Sequence, residues 1–385
     1  MLLRAGTVIT AGTVITDGAV RTEGEEVVQV GPAASLAPAP GEEVEELPGR
    51  TLTAGLVDMH CHGGGGASFS SREGSEVRAA VGYHRRHGTT TMVASLVSAP
   101  VDELAVSLAL LADLTEEGLI AGSHLEGPFL AHSRCGAQNP AVLVPPDREA
   151  VDRLLRAARG TLRMVTLAPE LPGALDLVRQ LCDAGVVAAL GHTDATYDQT
   201  MAAIDAGATV MTHLFNGMRP VHHREPGPVV AGLERPEVCC ELIVDEHHLH
   251  PAVVRDVMAA TGGRRTALVS DAIAAAGMAD GSYELGGLAV EVQGGVARLA
   301  GGTSMAGSTV TVAEAVASAV GTSGAGLVDV VRSATATPAS LVAPGAGRLE
   351  PGRRADLVVW GPSMVPTHVM VGGRWSVHPD SGVAA

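Results

Sequence analysis

The chain has 385 residues and is 46% hydrophobic but only 2% aromatic, enough for one large domain and a small one with a core of Ala, Val and Leu. Its formal charge of -16 repels polyanions, which argues against a nucleic-acid or acidic-membrane partner and leaves an anionic substrate in need of a local basic pocket. All 26 fixed positive side chains are arginine, so the chain has neither a Walker lysine nor a Schiff-base lysine.

Cys61, Cys135, Cys182, Cys239 and Cys240 are odd in number and lack zinc-ribbon or C-x-x-C spacing, which suits a reducing compartment. Met1–Gly6 carries no signal-like apolar run, and no uninterrupted apolar stretch is long enough to span a bilayer. A soluble, cytoplasmic protein is expected.

Residues 1–50 read as short strands followed by a Pro- and acid-rich loop over Ala33–Pro48. The hexapeptide Ala5–Thr10 recurs at once as Ala11–Thr16, a local duplication and not a structural repeat. The β pattern returns at Ala355–Trp360 and His368–Val371, with a turn at Gly372–Gly373. This predicts a small β-sandwich domain made from both termini, residues 1–50 and 344–385, with residues 51–343 inserted as the large domain.

Within the insert, strand-like stretches at Thr51–His62, Thr89–Val97, Leu119–Glu126, Arg163–Ala168, Val186–His192, Thr209–Leu214, Glu241–Asp245 and Thr266–Asp271 alternate with helical ones. Val101–Glu117, stopped by Gly118, and the helix opening at Pro251 are examples. Eight strands joined by helical crossovers predict a (β/α)8 TIM-type barrel, a doubly wound sheet being the alternative.

His60 and His62 stand at i and i+2 on the first strand, so both point to one face, and glycines follow them. Glu126, His192, His213 and Asp271 also fall at or just past strand C-termini, the face where barrel active sites are built. Core histidines have no reason to prefer strand ends. Four histidines and a glutamate suit Zn2+ or Fe2+, and five ligands exceed one open tetrahedral site, which suggests two ions bridged by Glu126. A divalent ion brings the pKa of bound water to about 7, and Asp271 could pass that water's proton on. The alternative for Asp271 is the N-cap of a helix over Ala272–Ala276.

These strand-end residues resemble the amidohydrolase superfamily, whose members often bridge two metals with a carbamylated lysine that this chain cannot supply. The segments His124–Phe129, Gly191–Ala195, Thr212–Met218, Val269–Ala272 and Ala306–Ser308 are similar to those of N-acetylglucosamine-6-phosphate deacetylases. The resemblance implies His60, His62, Glu126, His192 and His213 as metal ligands, one or two ions per subunit with zinc or iron favoured, and Asp271 as the acid/base. It further implies Asn216, the Gly217 backbone, His248, Ala137 and Met305 at the substrate. Arg224 would come from the neighbouring subunit of a homodimer.

Two departures stand out. Gln138 replaces the family's sugar-binding histidine, leaving neutral hydrogen bonds to that position, and Glu246 replaces the glycine of an Asp-Gly-x-His pattern. Cys135 lies in the lid-like loop Leu130–Pro140, where a thiol is an ordinary loop residue or a redox-sensitive neighbour of the metal. The expected reaction is hydrolysis of the acetamide of N-acetylglucosamine 6-phosphate. The rivals are the galacto epimer as substrate and a non-catalytic scaffold, which would be expected to have lost some of these ligands.

Overall fold

A computed structural model describes residues 1–378. Eight parallel strands, Leu56–Cys61, Thr89–Leu96, Gly122–Glu126, Leu162–Leu167, Val187–Leu190, Val210–Met211, Cys239–Leu242 and Thr266–Leu268, neighbour one another in chain order. The Asp271 amide donates to the His60 carbonyl at 2.9 Å and the His62 amide to that of Ala272 at 2.8 Å, which brings the eighth strand's end to the first's. The doubly wound alternative is thereby removed. Met59, Val93, Met164, Val210, Ile243 and Val269 fill the barrel interior, and a larger Leu/Val/Ala layer packs the helices outside.

The helices form where the sequence provides both stripe and caps. Val101–Glu116 opens with Asp102 and Glu103 in its first turn, buries Leu104, Leu108 and Leu111, and is followed by left-handed Gly118. Tyr197–Asp205 and Val312–Thr322 each begin with a capping box, Thr196 with Gln199 and Thr311 with Glu314. Among the described residues no helix is long and apolar enough to cross a membrane.

Both termini build the small domain, as one continuous eight-stranded sheet that curls around Leu3, Val8, Val20, Leu52, Leu357, Val359 and Met370. The duplicated hexapeptides pair with each other, Thr7 opposite Thr16 and Ile9 opposite Val14. Two expectations change here. The predicted loop ends early, because a strand runs over Val44–Ala54 and pairs in parallel with Leu2–Ile9, absorbing Pro48 and left-handed Gly49 at a bulge. The predicted strand Thr51–His62 is two strands, and the chain passes from small domain to barrel at Gly55, not at Arg50. A Cβ on Gly55 would lie 2.1 Å from the Thr90 hydroxyl, so only glycine lets the backbone cross there.

Beyond the eighth barrel strand, Gly281–Leu285, Leu288–Gln293 and Val296–Leu299 form an antiparallel sheet. Its residues reach the mouth of the barrel.

Candidate active site

The C-terminal barrel face gathers all six strand-end residues into two buried groups of metal-ligating atoms, His60–His62–Asp271 and Glu126–His192–His213. His60 Nε2 and His62 Nε2 face each other at 3.1 Å, as do His192 Nε2 and His213 Nε2. Glu126 stands between the groups: its Oε1 lies 3.1 Å from His192 and 2.9 Å from His213, and its Oε2 lies 3.3 Å from His62. Asp271 Oδ1 is 3.3 Å from His62 Nε2 and 3.4 Å from His60 Nε2. No helix follows over Ala272–Ala276, so Asp271 is not an N-cap.

His192, His213 and Asp271 carry positive φ of 47°, 27° and 48°. Such backbone persists where surrounding structure over-determines it, and here it aims each side chain inward from a strand end.

Burial alone would push the charged forms toward neutrality, but the groups hold one another ionised. Burial raises Glu126, yet His60 and His192 with hydrogen bonds from His192 and His213 draw it well below the ordinary carboxylate range. Asp271 is likewise penalised by burial but held low by His60 and His62. Against the same burial cost, Glu241, Asp271 and Glu126 hold His60 well above its usual value. His62 and His192 are raised too, chiefly against burial, by Asp271 and Glu126 for the first and Glu126 for the second. The donor set fits a divalent cation: the Nε2 atoms of His60 and His62 and those of His192 and His213 converge in two pairs about a shared carboxylate.

Above this floor lies a cavity of about 360 Å³, a volume suited to a small polar ligand. Asn216, Gly217, His248, Ala137, Gln138 and Met305 line it, together with Glu126, His192, His213 and Asp271. Arg224 does not line it: the side chain is exposed, with its guanidinium 2.9 Å from the His223 ring. Gln138, expected at the sugar, lines the cavity and is also bonded within the site. Its Nε2 donates to Glu126 Oε2 at 2.5 Å and its Oε1 accepts the Ser98 amide at 2.8 Å, so it braces the shared carboxylate. Glu246 takes the glycine-like φ of 65° with its side chain exposed, and the preceding Asp245 still accepts from His248 Nδ1 at 2.7 Å. Cys135 is half-buried and belongs to neither ligand group.

Three site residues escaped the sequence reading. His124 bridges the Ser95 and Thr166 hydroxyls at 2.9 Å each, beneath the ligands. Arg134 lines the cavity, accepts His192 Nδ1 on its carbonyl at 2.9 Å and pairs with Asp194 at 2.8 Å. Glu241, fully buried, lies 3.0 Å from His60 Nδ1. A charge inside the apolar stretch Cys239–Val244 was its signal.

Gly217 has φ of 61°, and a Cβ there would lie 3.0 Å from His192 Nδ1. Gly217→Ala is accordingly expected to destabilise the protein by about 1–2 kcal/mol and to displace His192. Thermal unfolding together with turnover checks it, and an unchanged midpoint would count against the close packing.

Residues 51–376 match the amidohydrolase family. The chain is 37% identical over 335 residues to an N-acetylgalactosamine-6-phosphate deacetylase of Escherichia coli O157:H7, covering 85% of this chain and 88% of that one. It is 32% identical over 350 residues to the N-acetylglucosamine-6-phosphate deacetylase of Lysinibacillus sphaericus, covering 89% and 90%. A mutant N-acetyl-D-glucosamine-6-phosphate deacetylase from Mycobacterium smegmatis, solved in complex with N-acetyl-D-glucosamine-6-phosphate, superposes with a TM-score of 0.95 at 47% identity, covering 98% and 99%. The chain thus belongs to the amidohydrolase family, in the branch that holds the N-acetylglucosamine-6-phosphate deacetylases.

Proposed function

We propose that the protein hydrolyses the acetamide of N-acetylglucosamine 6-phosphate to glucosamine 6-phosphate and acetate. The observation that carries this reading is the pair of buried ligand triads joined by Glu126, with Asp271 on the wall of the same cavity. His60, His62, Glu126, His192 and His213 would hold one or two ions, zinc or iron by donor type. A divalent cation bound there supplies a lowered water pKa and polarisation of the carbonyl oxygen.

The protein's own groups do the rest. Asp271, ionised at neutral pH, accepts the proton of the attacking water on its carboxylate. It returns that proton to the nitrogen as the C–N bond breaks, so the amine leaves neutral. Asn216, the Gly217 amide and His248 form the part of the cavity suited to the phosphate, with Ala137 and Met305 against the sugar. Arg224, exposed in its own chain, is free to enter the neighbouring site of a cytoplasmic homodimer and complete a local cationic pocket in a protein of charge -16.

Acetate release from N-acetylglucosamine 6-phosphate, its galacto epimer and the unphosphorylated sugar tests the reading. The gluco phosphosugar is expected to have the highest kcat/KM. The galacto epimer is the specific rival, given the name of the Escherichia coli relative, and a reversed preference would assign the site to it. Arg224→Ala should lower kcat/KM for the phosphosugar about 10–100-fold, the worth of one charge-assisted hydrogen bond, and leave the unphosphorylated sugar unaffected. Equal losses on both would remove Arg224 from the phosphate site.

A further inference from the structure

The buried carboxylate of Glu241 has no part in the chemistry above, and its contacts reach both ligand groups. It sits in the seventh barrel strand, Cys239–Leu242, at 0% exposure. Its Oε2 accepts from His60 Nδ1 at 3.0 Å and from the His213 amide at 3.1 Å, while Oε1 has no partner among the described residues. Among the four histidines of the two triads, His60 alone has a carboxylate behind it. His192 Nδ1 meets the Arg134 carbonyl, and the Nδ1 atoms of His62 and His213 meet no hydrogen-bond partner among the described residues.

We propose that Glu241 is a positioning residue: it fixes His60 with Nε2 toward His62 and Asp271, and so sets how tightly the His60–His62–Asp271 group holds a divalent ion. The proposal rests on the two-ion reading. A carboxylate on one ring nitrogen holds the proton there, leaves the other nitrogen's lone pair free, and raises its basicity as a ligand. The backbone bond to His213 gives the carboxylate a second anchor on the other group's strand end. Glu241 meets a ligand ring only at His60, and on the other group only the backbone amide of His213, so removing it should weaken the two groups unequally.

The test is zinc stoichiometry and affinity of the metal-stripped full-length protein, by elemental analysis and competition with a chelating indicator. Wild type should bind two ions per chain. Glu241→Gln, nearly isosteric, should keep one at wild-type affinity and weaken the other about 10–100-fold. In the background of His62→Ala, which disables the same group, Glu241→Gln should cause no further loss. Two ions held by Glu241→Gln within twofold of wild-type affinity, or equal weakening of both, would overturn the proposal with the two-ion reading intact. Wild type that never exceeds one ion would overturn both. Should the variant not fold, 15N-histidine spectra of zinc-loaded wild type decide: a proton on His60 Nδ1 is expected, and a proton on Nε2 refutes the role.

Discussion

Asp271→Asn is expected to lower kcat by about 10²–10⁴, the usual worth of a positioned general acid/base, with the fold intact. The backbone at this position is held independently of the side chain: its amide donates to the His60 carbonyl at 2.9 Å, and its carbonyl accepts the Ser308 amide at 2.8 Å. An asparagine amide would occupy the same volume against His60 and His62, but it cannot carry a proton from water to the leaving nitrogen. The pH profile separates this from a steric effect. Burial would raise the Asp271 carboxyl, but His60 and His62 hold it below the ordinary range, and only the ionised form can accept a proton. Activity should therefore rise with pH along a limb below the usual carboxylate value and stand fully developed at neutrality. The residual activity of the asparagine variant should lack that limb. A loss under tenfold, or an unchanged acid limb, would take Asp271 out of the proton step.

The sites that were legible in the sequence are those whose geometry is local. His60 and His62 converge because alternate strand residues share a face, and their Nε2 atoms do meet at 3.1 Å. Glu126, His192, His213 and Asp271 could be placed because each ends an apolar run, and a barrel brings all such ends to one face. What stayed hidden depends on pairings distant in the chain. Glu241 and His60 are separated by 181 residues, and no periodicity connects them. Gln138 was placed at the sugar by resemblance, and its bond to Glu126 stayed hidden because a loop residue's partner cannot be read from its spacing. Gly55 hid a domain crossing because the strands on either side share one continuous apolar pattern. The sheet over residues 281–299 did leave a trace, in the Gly-Gly pairs at 286–287 and 294–295 that form its turns.

Glu126→Ala should produce the largest combined loss, because the carboxylate serves both groups. It is the shared partner of His192, His213 and His62, at 3.1, 2.9 and 3.3 Å. Removing one partner of a buried ionic network costs on the order of 3–5 kcal/mol, since the remaining charges must give up their protons or stay unpaired. The sign of the pH dependence follows from the shifts. Glu126 is lowered, so its contribution is present above the unfolded carboxylate value and lost as pH falls through the folded one. His60 and His192 are raised, so theirs is present below the unfolded histidine value of about 6.5 and lost as pH rises through the folded ones. The destabilisation should thus be greatest near pH 5–6 and shrink at high pH. Zinc adds a second difference: at a thousandfold excess over Kd it stabilises wild type by about 4 kcal/mol, and the variant should gain far less. Loss of the ion should also lower kcat by about 10³ or more, as several kcal/mol of transition-state stabilisation go with it. Urea unfolding of the metal-free proteins at pH 5.5 and 9, repeated with zinc, measures both effects. A pH-independent difference between the two proteins, or equal stabilisation of both by zinc, would show that Glu126 is a packing residue and not the group that unites the two triads.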